Sequence, residues 1–206
     1  MSASSPIAIC NAALTLSGGN TILSFQDDTT EAKLCNIHYP RLRDVVTAAA
    51  QWTHATKRFG PLVPDVATPP YGYTYQYTLP SDLFEVIEAT TNGRYEIEDY
   101  AIEDKKLLAN VGSGIFIKYI GRVEDTTRFV MLFTEALTAR LAAELSIPLA
   151  ESRSLEAQHM NIYKAKMDEA MAQDGLQGRN KPTRVRNAAR ARFADGSTPG
   201  FYSWGP

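Results

Sequence analysis

The sequence predicts an α+β protein: a mainly α-helical bundle of about four helices, an inserted small antiparallel β module and an extended C-terminal arm. Three observations predict it. Apolar residues recur at helical spacing in four segments, they alternate with polar residues in the middle of the chain, and the last thirty residues show no apolar period. With 206 residues, 44% of them hydrophobic, the chain is long enough to bury a core and a small insert.

Capping signals delimit the first two helices. Ser5 precedes Pro6, a proline suited to the first helical turn, and Gly18-Gly19 is expected to end the first helix. Asp28-x-x-Glu31 is a capping-box signal for the second helix. Pro40 lies inside that helix, so we expect one kinked helix. Its apolar stripe contains Cys35, Tyr39, Leu42, Val45, Val46 and Ala49.

The middle of the chain changes from helical spacing to alternation. Residues 59–72 contain four prolines and are predicted to be a linker without regular structure. Tyr73 and Tyr75 begin an alternation of apolar and polar residues that is typical of a half-buried strand. Asn92-Gly93 indicates a hairpin, because both residues accept the positive φ of a primed turn. Residues 73–123 are therefore predicted to form an antiparallel module with local hairpin connections.

Two further helices are expected to complete the bundle. Asp125 is predicted to cap the third helix and Pro148 to end it, while Ser152 or Ser154 begins the fourth and Gly175 ends it. Their apolar faces contain Phe129, Leu132, Phe133, Ala136, Leu137 and Leu141 in the third helix, and Leu155, Met160, Ile162, Tyr163, Met167 and Met171 in the fourth. The predicted divisions are 1–58 and 124–175 for the two halves of the bundle, 59–123 for linker and β module, and 176–206 for the arm.

Charge is distributed unevenly along the chain. Residues 177–206 contain six cations and one anion, a net charge of +5, so in a chain of net charge −2 the remainder has −7. A segment that mixes arginines with aromatics is typical of one that binds a protein groove or single-stranded nucleic acid. We expect this arm to be poorly ordered when free and to bind a partner. Its predicted partner-binding residues are Arg184, Arg186, Arg190, Arg192, Phe193, Phe201, Tyr202 and Trp204.

Motifs that carry chemistry are missing from the sequence. There is no phosphate-binding loop, nucleophile elbow or dinucleotide fingerprint, and no histidine has a partner at metal-ligand spacing. Cys10 and Cys35 are interpreted as small buried hydrophobes in a reduced cytoplasm. The carboxylate groups at 27–28, 96–99 and 103–104 are better explained by capping and by an exposed hairpin. We expect no catalytic residue, no metal, no cofactor and no membrane span.

Two pairs of residues are candidate contacts between subunits. Arg140 and Glu144 lie four residues apart on the apolar side of the third helix, either as a pair at the edge of the bundle or as a contact between subunits. Tyr73 and Tyr75 provide broad, rigid contact area. They either face a partner protein or neighbouring subunits, or cover the module's own core.

Five segments, in order between about residues 7 and 175, resemble the tail tubular protein A family, the head-to-tail adaptors of short-tailed bacteriophages. They are Tyr39-Pro40-Arg41-Leu42-Arg43-Asp44, Gln51-Trp52-Thr53-His54-Ala55-Thr56-Lys57-Arg58, Tyr77-Thr78-Leu79-Pro80-Ser81-Asp82, Tyr119-Ile120-Gly121-Arg122-Val123 and Glu135-Ala136-Leu137-Thr138-Ala139-Arg140-Leu141-Ala142-Ala143-Glu144-Leu145. The arm matches only loosely.

The resemblance implies a helical adaptor with an inserted β region and without catalytic residues. It implies a ring of twelve copies between the portal protein and the tail nozzle protein, with double-stranded DNA passing through without sequence-specific binding. The protein would then be made in the host cytoplasm and be located in the virion. Two alternatives remain open: a nucleic-acid-binding module that acts through the arm, and a tail-associated cell-wall hydrolase that uses the scattered carboxylates.

Overall fold

Four helices and two small antiparallel sheets make up residues 5–177, the part of the chain that this computed structural model describes. The helices are α1 (Pro6–Leu16), α2 (Thr30–Ala48), α3 (Met131–Ala150) and α4 (Arg153–Gln177), with short 3₁₀ turns at Thr53–Ala55 and Thr126–Arg128. The predicted α+β class, with its β insert between the second and third helices, is confirmed.

The four helices run alternately up and down. At one end of the bundle the Ser17 hydroxyl, just after α1, donates to the Ala142 carbonyl of α3 (3.0 Å). At the other end the Asp174 carboxylate of α4 accepts from the Thr53 amide, just after α2 (2.9 Å). The chain therefore leaves α2, enters α3 and finishes α4 at the same end of the bundle.

Helix starts agree with the sequence in two cases and differ by a few residues in the others. The Ser5 hydroxyl caps α1 by accepting from the Ala8 amide (3.1 Å), as predicted. The cap of α2 is Thr29, not Asp28, and the Asp28 carboxylate instead pairs with Lys33 (2.6 Å). Thr29 occupies the position directly before the helix, and from there its hydroxyl accepts a hydrogen bond from the Ala32 amide (3.2 Å).

The third helix starts and ends later than predicted. Asp125 caps the 3₁₀ turn that precedes α3, accepting from the Thr127 amide (2.9 Å), and α3 itself begins at Met131. Pro148 lies inside its last turn. The proline removes one backbone hydrogen bond, but the residues after it still donate theirs. Glu151, in the left-handed region, ends the helix and donates its amide to the Ile147 carbonyl (3.0 Å).

The fourth helix begins where one of the two predicted serines lies and runs past its predicted end. The Ser152 hydroxyl accepts from the Leu155 amide (3.2 Å). The helix continues through Gly175 to Gln177, because a glycine costs a helix only about 1 kcal/mol and does not by itself end it. Four residues placed on apolar faces by the sequence are exposed instead: Val45, Ala49, Ile162 and Met171.

Seven strands form two sheets, ordered β1-β7-β3-β4 and β2-β6-β5. The strands are β1 (Thr56–Leu62), β2 (Tyr75–Thr78), β3 (Leu83–Thr91), β4 (Tyr95–Glu96), β5 (Tyr100–Glu103), β6 (Lys106–Ala109) and β7 (Ile115–Gly121). The Asn92-Gly93 turn is confirmed, with φ of 54° and 68°. The predicted local hairpin connections are found at β3–β4 and β5–β6, whereas β2–β6 and β3–β7 pair strands that are farther apart in sequence.

Strand β1 lies partly in the segment that was expected to lack regular structure. It pairs with β7 from Thr56 to Leu62, and the register shifts between Phe59 and Leu62, where Pro61 lies. A proline is tolerated there because β1 is an edge strand and the shift removes the need for its amide hydrogen. The spacing of the prolines predicted the absence of long regular elements between β1 and β2, but it did not predict the pairing of β1 with β7.

Apolar side chains collect in two clusters. The bundle cluster includes Leu14, Leu42, Trp52, Phe133 and Leu137, all fully buried. The module cluster lies between the two sheets and includes Tyr77, Leu107, Ala109, Ile115 and Ile117. Strand β7 supplies both, since Ile120 near its end joins the bundle cluster while Ile115 and Ile117 join the module cluster.

Candidate interface surfaces

The β module leaves and re-enters the bundle at one point, which charged side chains fix in place. Thr56 of β1 is paired with Ile120 of β7, so the first and last strands lie side by side there. The Lys57 ammonium donates to Asp82 (2.6 Å) and to the Arg122 carbonyl (2.8 Å). Burial acts to raise the pKa of Asp82, but the hydrogen bond and the charge of Lys57 outweigh it and lower that pKa.

A second set of ion pairs joins α2 to the end of β7. The Asp44 carboxylate of α2 accepts from Arg122 (2.8 Å) through one oxygen and from Arg43 (2.8 Å) through the other. Arg43 is nearly buried, and a lone charge there would be costly, so Asp44 compensates it. The predictions from sequence missed these pairs, because residues 44 and 122 are far apart in the chain and neither has a motif of its own.

His54 is enclosed by aromatic rings at the same end of the bundle. Its ring lies 4.7 Å from that of Phe133, 5.6 Å from Phe129 and 5.8 Å from Trp52, measured between centroids. Both ring nitrogens are buried without a hydrogen-bond partner in the described part of the chain. Burial lowers the pKa of His54 to about 4, opposed by the charge of Asp174. This geometry makes His54 a packing residue among aromatic rings.

His159 is buried on α4, with one ring nitrogen 3.2 Å from the Leu16 carbonyl of α1. The other ring nitrogen, Nδ1, is buried without a hydrogen-bond partner among the described residues. The contact with Leu16 joins the N-terminal part of α4 to the end of α1, which explains why a histidine lies in an otherwise apolar arc.

Arg140 and Glu144 form the expected pair along α3 (3.3 Å), with 19% and 26% of their side chains exposed. Both also make contacts inside the chain. Glu144 accepts from Arg41 of α2, and the Arg140 guanidinium lies over the ring of Tyr163 of α4, 5.9 Å from its centroid. The pair thus joins three helices. Arg41, half exposed, is the member of this group that the sequence did not single out.

Tyr73 and Tyr75 have different surroundings. Tyr75 is half-buried, packs against the module cluster, and its ring closely approaches Gly112. Tyr73 lies in a cleft on the second sheet and donates to the Asp99 carboxylate (3.2 Å). For Tyr75 the structure therefore favours covering the core, whereas Tyr73 remains available as a contact residue.

The carboxylate groups have structural partners or face solvent. Asp27 accepts from the amides of Leu23 (2.8 Å) and Ser24 (3.1 Å) and so caps a loop, not a helix. Glu96, Glu98 and the neighbouring acids up to Asp104 lie on the surface of the module. Among residues 5–177 no three His, Cys, Asp or Glu side chains are grouped to hold a metal ion.

Cys10 and Cys35 are free thiols buried between α1 and α2. The hydrogen bond between them and burial raise the pKa of Cys10. Their interpretation as small buried hydrophobes is confirmed as far as burial is concerned. No helix of the described range combines the length and the apolar character needed to cross a membrane.

All eight predicted partner-binding residues of the arm, from Arg184 to Trp204, lie outside the described residues. Comparison with protein-family models and with curated proteins found no match to this chain.

Proposed function

We propose that this protein is a head-to-tail adaptor of a short-tailed bacteriophage, a structural virion protein that joins the portal to the tail nozzle as one subunit of a ring. The proposal begins from the five segments that resemble the tail tubular protein A family. It is supported by the α+β architecture, because the resemblance implies a helical adaptor with a β region inserted between its helices.

The observation that carries the proposal is the two-ended shape of the subunit. The β module is attached between α2 and α3, and α4 finishes beside Thr53 at that same end. One end of the subunit is thus purely helical, whereas the other presents the β module and the start of the basic arm. An adaptor between two different partners requires two chemically different ends, and a subunit of a closed ring requires two different lateral faces.

Three surfaces of the subunit have proposed roles. The arm, with its five arginines and four aromatics, binds the portal or an adjacent subunit. Tyr73 and the exposed face of the module bind the nozzle or a neighbouring subunit, and Arg140 and Glu144, with half-exposed Arg41, contact a neighbour through their solvent side. DNA passes through the ring without sequence-specific contacts. The twelve-copy ring follows from the resemblance alone.

Negative-stain microscopy of the purified protein mixed with the portal of its phage tests the proposal directly. We expect rings of the adaptor on the portal. A variant that ends at Gly178 should remain folded by circular dichroism, since residues 5–177 contain both apolar clusters, but should no longer hold the portal. Absence of the protein from purified virions would refute the adaptor role.

A second candidate is nucleic-acid binding through the arm, which the +5 charge of residues 177–206 favours. In that case the affinity for single-stranded DNA should fall steeply with salt, by roughly 0.7 log units per log unit of salt for each phosphate contact. The variant that ends at Gly178 is the control, and it should lose this affinity. A shallow salt dependence that is equal in both proteins would exclude this function.

A further inference from the structure

The second sheet, β2-β6-β5, has a cleft of about 400 Å³ on the face turned away from the module cluster. Its floor contains Gln76 and Leu108, which are paired across β2 and β6. One wall is the Pro69-Pro70-Tyr71 segment with Tyr73. The other wall is the turn between β5 and β6, with Glu103 and Asp104.

The acidic wall of this cleft has no neutralising partner in the described chain. The lining has two carboxylates, Glu103 and Asp104, which are exposed and form no salt bridge within residues 5–177. Lys105, in the same turn, does not line the cleft. Lys106 is the only cation in the lining, and its ammonium is paired with Asp65 (2.8 Å). The hydrogen bond from Lys106 holds the pKa of Asp65 below its usual value. The cleft is therefore negative.

The opposite wall is aromatic and uncovered. Tyr71 is 86% exposed, an unusual position for a large side chain that makes no contribution to either cluster. Tyr73 keeps its hydroxyl on Asp99, which fixes the position of its ring beside the cleft. An arginine side chain fits between such walls, since the guanidinium stacks on a tyrosine face and binds carboxylates through two parallel hydrogen bonds. The cleft thus suits a peptide rich in arginine and aromatic residues.

We propose that this cleft binds the chain's own C-terminal segment, residues 178–206. That segment has six cations against one anion, and its phenylalanine, tyrosine and tryptophan side chains match the Pro-Tyr wall. Its starting point is suitable as well. Helix α4 is held beside Thr53 by Asp174, and β1, which leads to the module, begins three residues later at Thr56.

Reach favours binding within one chain. The twenty-nine residues of the segment span up to about 95 Å when extended, whereas the sixteen residue steps from Thr53 to Pro69, in the wall of the cleft, cover at most about 58 Å. A tethered segment of this kind has an effective concentration in the range of millimolar. The docking does not depend on the adaptor role. Its consequence, that a portal or neighbouring subunit must displace the arm before binding it, rests on the proposed function.

Trypsin digestion of the full-length protein measures the docking, because the arginines of the segment are its cleavage sites. We compare wild type with the double variant Glu103→Gln, Asp104→Asn, and with Tyr71→Ser. Asparagine is chosen at 104 because φ there is 45°. At low salt, cleavage within residues 178–206 should be about three- to tenfold faster in both cleft variants than in wild type.

The matched control removes two carboxylates of the same module outside the cleft, Glu96→Gln and Glu98→Gln, both exposed. It should be cleaved at the rate of wild type, and circular dichroism should show all four proteins folded. Equal cleavage rates in the cleft variants and the control would overturn the docking, whatever the microscopy of rings shows.

Carbodiimide cross-linking identifies which chain supplies the segment. Lys181 is the only lysine of the segment, and it should be joined to Glu103 or Asp104. In a mixture of ¹⁵N-labelled and unlabelled protein, the linked peptides should carry one isotope only. Linked peptides of mixed isotope, or links from Lys181 solely to carboxylates outside the cleft, would overturn docking on the same chain.

Discussion

The helical bundle and the β module bury their apolar side chains in two clusters that meet at the end of β7. In the bundle, four helices surround large side chains such as Trp52 and Phe133, whose rings touch edge to face at 5.1 Å. In the module, short strands enclose Tyr77 and Leu107, and three of the four non-glycine residues with positive φ lie in its turns.

The two regions therefore obtain order in different ways. Each helix of the bundle forms from local signals and then buries one face, so a cap displaced by one residue changes little. The module depends on pairing between residues far apart in sequence, such as Thr56 with Ile120, which local signals do not specify. The bundle should thus determine the free energy of global unfolding. The junction, defined by the Lys57–Asp82 and Asp44–Arg122 ion pairs, should determine the orientation of the module on the bundle.

Phe133→Ala tests the bundle and should have the largest effect. The ring is fully buried against Trp52 and His54, so its removal should lower the free energy of unfolding by about 3–5 kcal/mol. Urea denaturation followed by tryptophan fluorescence measures this. Leu23→Ala, at a side chain 92% exposed, is the control and should change stability little. Similar midpoints for the two variants would show that the bundle cluster does not determine stability.

His54 makes the junction end of the bundle sensitive to acid. Its folded-state pKa is about 4 against an ordinary value of 6.5, so between these values the unfolded chain binds a proton that the folded chain does not. Stability should fall as pH decreases from 6.5 to 4, by roughly 3 kcal/mol at most. Carboxylates of lowered pKa, such as Asp82, add their loss only below about pH 4.

The control for this pH dependence is His54→Phe, which retains an aromatic ring among Phe129, Phe133 and Trp52 but cannot be protonated. Its stability should be nearly constant over the same range, apart from a smaller contribution of His38, whose pKa burial also lowers. Urea midpoints at half-unit steps of pH measure both proteins. An unchanged slope in the phenylalanine variant would assign the acid sensitivity to other groups.

Thr29→Ala and Asp28→Ala separate the observed cap of α2 from the one expected from sequence. Thr29→Ala removes the acceptor of the Ala32 amide and should cost about 1 kcal/mol. Asp28→Ala removes a pair with Lys33 in which both side chains are mostly exposed, and should change stability little. Thermal unfolding of the two variants is the measurement, and the reverse order of stabilities would restore Asp28 as the cap.

The smallest expected effect concerns the pair that joins the two regions. A double-mutant cycle of Asp44→Asn and Arg122→Met should give a coupling energy of about 0.5–1 kcal/mol, because 41% of the arginine side chain is exposed. Hydrogen exchange should rise at the end of β7, while the C-terminal end of α1, at the opposite end of the bundle, keeps its protection. Strictly additive effects would mean that the module is held by apolar contacts alone.

Caps, turn residues and the periodicity of apolar residues predicted the elements that depend on neighbours in sequence. Ser5 and Pro6 predicted the start of α1, Asn92-Gly93 predicted the hairpin, and the alternation that begins at Tyr73 predicted β2. Arg140 and Glu144 were predicted as a pair on one side of α3, because four residues are about one helical turn. All these signals act within a few residues of the chain.

Only the tertiary structure decided the remainder. In the folded structure Phe59 and its neighbours pair with β7 as part of β1. Helix α3 continues past Pro148 and α4 past Gly175, and Asp44 forms an ion pair with Arg122. Pro148 and Gly175 have local costs of about 1–3 kcal/mol that did not end their helices, whereas the pairs of Thr56 with Ile120 and of Asp44 with Arg122 join residues far apart in sequence. The free-energy cost of a proline or a glycine in a helix can be predicted from the sequence. The long-range contacts that compensate for this cost are determined only by the folded structure.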